Sequence, residues 1–263
     1  MSVTLKHARI VVALDLCSSS QIMEDLLLSE KFDRYEAFLV CVKRWLMNWA
    51  ERHSPPKGRC ELYKFTGDGW IVLFPDTIRG EALIEFMYCL CEMIDAELAR
   101  HIVPNLSSLP AVLGATLGVE WGNLIRMTMN ERDEYVGRAL NIACRLQNAV
   151  KDKEPESACY KALVSARLYN ERLSNASLKY RVESTTCSLR NIQSGSGFAC
   201  RKIDFTVDCA GQPLPWPEHA TPGWTCARSN WARSLTSSSK RRYRLSRSRR
   251  SAVDWESSGC GRR

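Results

Sequence analysis

The chain has 263 residues, 45% of them hydrophobic, which is enough for one substantial domain with an extension or for two small ones. Its net charge of +8 is concentrated at one end: residues 1–200 carry 24 basic and 24 acidic side chains, whereas residues 201–263 carry 13 and 5. An electrostatic attraction to nucleic acid is therefore confined to the tail and is not expected of the main body. The twelve cysteines are scattered, with no C-x-x-C pair and no His at zinc spacing, so they read as reduced thiols of a cytoplasmic protein. Ala8–Leu16 is short and holds Arg9 and Asp15, which does not fit a secretion signal. No stretch approaches the ~18–20 apolar residues of a membrane span.

Along the chain, Ala8–Asp15 is a β-branched apolar run that stops at an acid, the pattern of a buried strand. Ser18, Ser19 and Ser20 follow and offer an N-cap to a helix over Gln21–Leu28. Phe32–Arg52 carries an apolar stripe (Tyr35, Phe38, Leu39, Val42, Trp45, Leu46, Trp49) at helical steps of three and four. Ser54–Arg59 is a Pro/Gly loop. Two strand-like runs then flank Thr66-Gly67-Asp68-Gly69, and Asp-Gly between apolar runs predicts a tight hairpin. A helix over Arg79–Arg100 comes next. Ala111–Trp121 reads as a strand, with Gly122–Met129 pairing back on it. Gly137–Val150 reads as a helix, Leu163–Tyr169 as another helical piece, and Leu178–Val182 and Gly197–Phe205 as closing strands. The order β-α-α-β-β-α-β-β-α, then further strands, predicts an α+β domain of split βαβ, ferredoxin-like build with additions over residues 1–205. Residues 206–263 are rich in Pro, Arg and Ser, and such a segment is expected to be largely disordered. The basic cluster within Lys240–Arg250 is read as a solvated tail rather than as a nucleic-acid site.

Three places carry chemistry. Asp15 ends the first strand and Asp68 sits at the hairpin tip. If the hairpin packs beside that strand, the two carboxylates emerge at one sheet edge, with no local His or Cys, and suit hard divalent ions such as Mg²⁺ or Mn²⁺. Taken singly, Asp15 also reads as a capping acid and Asp68 as the Asp of a type I′ turn. The small residues Cys17, Ser18, Ser19 and Ser20, leading into a helix, leave backbone N–H groups for an anion. Asn141 and Arg145 are four apart and share a helix face, an amide and a guanidinium able to orient a sugar and stabilise charge on a phosphate.

With these residues in place, the chain resembles the class III nucleotidyl cyclase catalytic domains. That family carries an Asp at the end of its first strand, a K-x-x-G-D hairpin and a G-x-x-x-N-x-A-x-R helix. The counterparts here are Asp15, Lys64-Phe65-Thr66-Gly67-Asp68, and Gly137 through Asn141, Ala143 and Arg145. The resemblance implies that Asp15, Asp68 and the Leu16 carbonyl hold two divalent ions, that Lys64 and Glu134 read the base, and that Asn141 and Arg145 serve the ribose and the transition state. It also implies a homodimer with sites at the interface, each built from both protomers. Departures from the purine-specific members stand at Lys64 with Glu134, at Glu120-Trp121 within Gly118–Gly122, and at Leu16–Ser20. With the run Tyr63–Trp70 they resemble the pyrimidine cyclases of the Pycsar antiphage system. The expectation is thus a cyclase taking UTP to cyclic UMP, an alarm signal for a downstream cyclic-nucleotide-sensing effector. CTP or ATP as substrate stays open, as does an inactive nucleotide-binding scaffold.

Overall fold

The computed structural model describes residues 6–53, 58–129, 131–153, 159–192 and 196–214. The chain divides into a unit over 1–219 and another over 220–263, and the second lies outside the described residues. The expectation for the tail therefore lies outside them from residue 215 onward.

The elements are β1 (Lys6–Leu16), α1 (Ser19–Leu28), α2 (Phe32–His53), β2 (Glu61–Phe65), β3 (Gly69–Pro75), α3 (Gly80–Glu97), β4 (Ala115–Met129), β5 (Arg132–Val136), α4 (Arg138–Lys153), β6 (Lys161–Ser165), the single turn α5 (Ala166–Leu168), β7 (Tyr180–Cys187) and β8 (Phe198–Asp208). They form one eight-stranded sheet in the order β2-β3-β1-β4-β6-β8-β7, with β5 paired to the far half of β4. Helices and strands alternate as the sequence predicts, and the fold is α+β.

Alternation along β1 sorts its side chains between two layers. Ile10, Val12, Leu14 and Leu16 join Trp70, Val72, Phe74, Leu117 and Val119 in a large core under α1, α2 and α3. Val11 and Ala13 face the other way, with Ile71, Leu73, Leu124, Ala139 and Ala143, under α4. Asp15 has the parity of Val11 and Ala13. It therefore emerges on the α4 side, just where β1 ends.

Several expectations are corrected. Gly122 does not end a strand: β4 runs unbroken from Ala115 to Met129, and β5 is the strand that pairs back. The glycine serves a close approach instead, since a Cβ there would meet the Ala139 Cβ at 3.1 Å. Leu163–Ser165 is not helical. It belongs to β6, buried along its whole length and parallel to β4, where an apolar run needs no alternation. The hairpin is not a two-residue Asp-Gly turn. Gly67 takes the left-handed conformation, φ 108°, and the Thr66 N–H donates to the Gly69 carbonyl at 3.0 Å. Ser18 does not cap α1 through its side chain: it is left-handed, φ 55°, and its hydroxyl donates to the Val112 carbonyl at 2.7 Å. At the other end, β8 continues to Asp208, and Leu214 returns to pack on the core through its N–H on the Thr206 carbonyl at 2.8 Å.

Candidate active site

Gly69 pairs with Asp15 across the β1–β3 ladder. A Cβ on Gly69 would fall 2.0 Å from the Leu14 carbonyl oxygen, so only glycine lets the hairpin lie flush on the end of β1. That contact sets Asp68, the preceding residue, beside Asp15: the Leu16 N–H donates to the Asp68 carbonyl at 3.3 Å, and the Asp68 carboxyl lies close enough to act on that of Asp15. Burial raises the Asp15 pKa; Lys151 pulls it down and the neighbouring Asp68 pushes it up further. The buried Ser19 hydroxyl donates to Asp68 Oδ2. Nearby Tyr35 is pushed up to about 12, chiefly by burial and then by the two acids, and the buried Cys17 thiol also to about 12, chiefly by burial. Neither is a ready nucleophile.

Two residues that the sequence does not single out complete this cluster. Lys151 Nζ donates to Asp15 Oδ2, and to the Leu16 carbonyl at 3.1 Å. Gln147 Nε2 donates to the Thr116 hydroxyl at 2.8 Å and reaches Asp15 Oδ2 at 3.3 Å. Both stand on α4, one turn apart. Their approach depends on Gly118, where a Cβ would lie 2.0 Å from the Ala143 carbonyl oxygen and 2.3 Å from the Gln147 nitrogen. The spacing of four between Gln147 and Lys151 was the available signal, but polar residues at that spacing also describe a solvated helix face.

The cluster passes a simple test as a cation site. Two carboxylates and a main-chain carbonyl converge where a cationic group, the Lys151 ammonium, already sits. Such an all-oxygen donor set suits Mg²⁺ or Mn²⁺ better than zinc.

Along the stretch leading into α1, the Leu16 N–H is engaged by Asp68 and the Cys17 N–H by the Gly114 carbonyl at 2.9 Å. Any phosphate-holding capacity rests on the first turn of α1, at Ser19 and Ser20.

Lys64 on β2 and Glu134 on β5 are brought together, with Nζ 3.7 Å from Oε2. They line a cavity of about 580 Å³ with Met129, Arg132, Tyr135 and Val136. A bulge in β2 between Leu62 and Lys64 turns Tyr63 toward this corner. Its hydroxyl donates to Glu134 Oε2 and accepts from the Tyr135 N–H at 3.0 Å, and its ring meets that of Tyr135 edge-on, centroids 5.1 Å apart.

Asn141 and Arg145 follow one another on α4, Asn141 exposed and Arg145 half-buried. Among the described residues, no side-chain hydrogen bond or ion pair joins them to Asp15 or Asp68, so the chain does not bring all of its candidate residues into one cluster.

A different group gathers Cys41, Glu97 and His101, with their ligand atoms within 4.8 Å of one another. None of these residues belongs to the predicted set. Glu97 Oε1 accepts from Arg100 at 3.0 Å, and Glu97 Oε2 lies 3.1 Å from His101 Nε2.

No protein-family model matches the chain, and no curated protein matches it by sequence. Solved structures do. The adenylyl cyclase CyaB from P. aeruginosa is similar over 76% of this chain and 95% of its own, with a TM-score of 0.57 at 15% identity. The guanylyl cyclase Cya2 is similar over 81% of this chain and 97% of its own, with a TM-score of 0.55 at 14% identity. Adenylate cyclases from Trypanosoma brucei, in their monomeric state, are similar over 81% and 91%, with a TM-score of 0.53 at 13% identity. At such identities the likeness shows the fold: this chain has the fold of adenylyl and guanylyl cyclase domains. No helix among the described residues is long and apolar enough to cross a membrane.

Proposed function

We propose that the chain is a pyrimidine nucleotide cyclase that converts UTP to 3′,5′-cyclic UMP and diphosphate. One observation carries the reading: Asp15 and Asp68, 53 residues apart in sequence, lie side by side where β1 ends and β3 begins, beside the Leu16 carbonyl. These three groups would hold two divalent ions, Mg²⁺ or Mn²⁺. When bound, the ions neutralise triphosphate charge and lower the pKa of the attacking hydroxyl. The ribose 3′-oxygen forms a bond to the α-phosphorus, the bond from that phosphorus to the bridging oxygen breaks, diphosphate leaves, and the hydroxyl proton passes to solvent.

Asn141 orients the ribose and Arg145 stabilises the charge that develops on the phosphoryl oxygens. Because these two stand apart from the acids of their own chain, each site takes them from the second copy in a homodimer. Ser19 and Ser20 border the triphosphate, with Cys17 and Ser18 forming the turn that leads to them. Lys64 donates to the base and Glu134 accepts from it. Tyr63 and Tyr135 crowd that corner, which favours a small pyrimidine ring, and uracil offers a carbonyl beside a ring N–H to such a donor–acceptor pair. Catalysis is assigned to residues 1–205, in the cytoplasm, and the product to antiphage signalling through a cyclic-nucleotide-sensing effector. The tail beyond is assigned no catalytic part.

Incubating the purified protein separately with UTP, CTP, ATP and GTP and Mn²⁺, with products identified by mass, tests the reading. Cyclic UMP as the main product is expected. Cyclic CMP would move the assignment within pyrimidines, product from ATP alone would end the pyrimidine reading, and no product from any of them would leave the inactive nucleotide-binding scaffold.

A further inference from the structure

We infer that Lys151 is a tethered cation lodged in the divalent-metal site, which a metal ion must displace in order to bind. The inference rests on the reading of Asp15, Asp68 and Leu16 as metal ligands.

Its ammonium engages two of the three groups assigned to the ions, through Asp15 Oδ2 and the Leu16 carbonyl. An ammonium has three donors and no acceptor, so it collects oxygen lone pairs as a hard cation does, with half the charge of a divalent ion. Mg²⁺ needs its oxygens at about 2.1 Å in a tight shell that leaves no room for a second cation on the same atoms. Ammonium and ion therefore compete.

The setting makes the competition reversible. Lys151 stands at the last turn of α4 with its side chain 34% exposed, against 18% for Asp15, so the head can swing to water on its flexible stem. Gln147, one turn earlier, is buried, and the Thr116 hydroxyl holds it at 2.8 Å, so departure of the ammonium need not move the helix. At rest the lysine neutralises one of two adjoining carboxylates and keeps the oxygen cradle assembled. Its cost is a higher metal concentration for half-saturation.

Mn²⁺ binding to the full-length protein without nucleotide, followed by loss of the free-ion electron paramagnetic resonance signal and by calorimetry, tests this directly. Lys151→Met is expected to bind Mn²⁺ about tenfold more tightly than the unaltered protein, one unit charge at a half-exposed site being the difference. Its metal-free form should melt at a lower temperature, and Mn²⁺ should raise that temperature by more than it does in the parent. Lys151→Arg should stay weak, and Lys151→Gln repeats the measurement with a polar side chain if the methionine variant is poorly soluble. Equal or weaker binding by Lys151→Met and Lys151→Gln, with binding abolished by Asp15→Asn, overturns this inference alone. Binding that survives both Asp15→Asn and Asp68→Asn overturns the metal-ligand reading beneath it.

Discussion

Under α2 and α3, Trp45, Trp49, Phe74 and Phe86 pack ring against ring, with centroids 4.7 to 5.8 Å apart. On the opposite face a single helix, α4, crosses the sheet on Gly118, Gly122, Ala139 and Ala143, beside the buried polar groups Thr116, Glu120 and Gln147. Large side chains hold a helix off by their own width and give burial. Small ones let main chain meet main chain, so that short polar groups from sheet and helix reach one another. The first face supplies stability, and the second supplies placement.

The contrast is open to attack from either side. Asp68→Asn, on the placement side, is expected to reduce cyclisation by about 10³-fold or more, because the proposed two-cation site would lose a ligand. Its melting temperature should not fall, since one of two adjoining acids is removed. Phe86→Ala should do the reverse: a loss of about 3–5 kcal/mol by denaturant titration, with turnover per folded molecule retained well below the melting point. Equal losses of stability in both variants would erase the distinction. Mixing Asp68→Asn with Arg145→Ala protein comes next in size. If sites are shared between copies, an equimolar mixture recovers about a quarter of the parent activity, because half of the dimers are mixed and each has one intact site. No recovery would mean that each chain works alone.

Gly118→Ala probes placement without touching any charged group. The added carbon must push the α4 main chain away, so activity and Mn²⁺ affinity should fall together, more steeply than stability.

The smallest effect is expected at Glu120, whose pKa is raised chiefly by burial, against hydrogen bonds from the Trp121 N–H and the Ser165 hydroxyl that lower it. A carboxyl with a raised pKa in the folded state costs nothing below its ordinary value of 4.5, and stability falls as pH rises from there through the raised value. Glu120→Gln should therefore raise the melting temperature by a few degrees near neutral pH, and not in acid.

Much of the fold is legible because its signals are local. The strand ending at Asp15, the hairpin around Gly67 and the stripe of α2 each depend on residues close in sequence. Gly122 misleads because a glycine that breaks a strand and one that admits a helix against it look alike along the chain. Leu163–Ser165 misleads because a short strand buried on both faces has no period of its own. In the site, Asp15 and Asp68 announce themselves by type and position, whereas Lys64 and Glu134 follow only from the family resemblance. Lys151 does not, because its position follows from where α4 lies across β4, which Gly118 decides from far along the chain.

A joint made of bare main chain has a further property. Side-chain interlocking changes whenever one partner changes size, so its alignment drifts with every substitution. Where Gly118 meets the Ala143 carbonyl, the fit is set by peptide geometry, which is the same for every residue. The bearing of α4 on β4 is then tied less to the sizes of the surrounding side chains. At Gly118 the alignment therefore hangs on a position that has no side chain to replace.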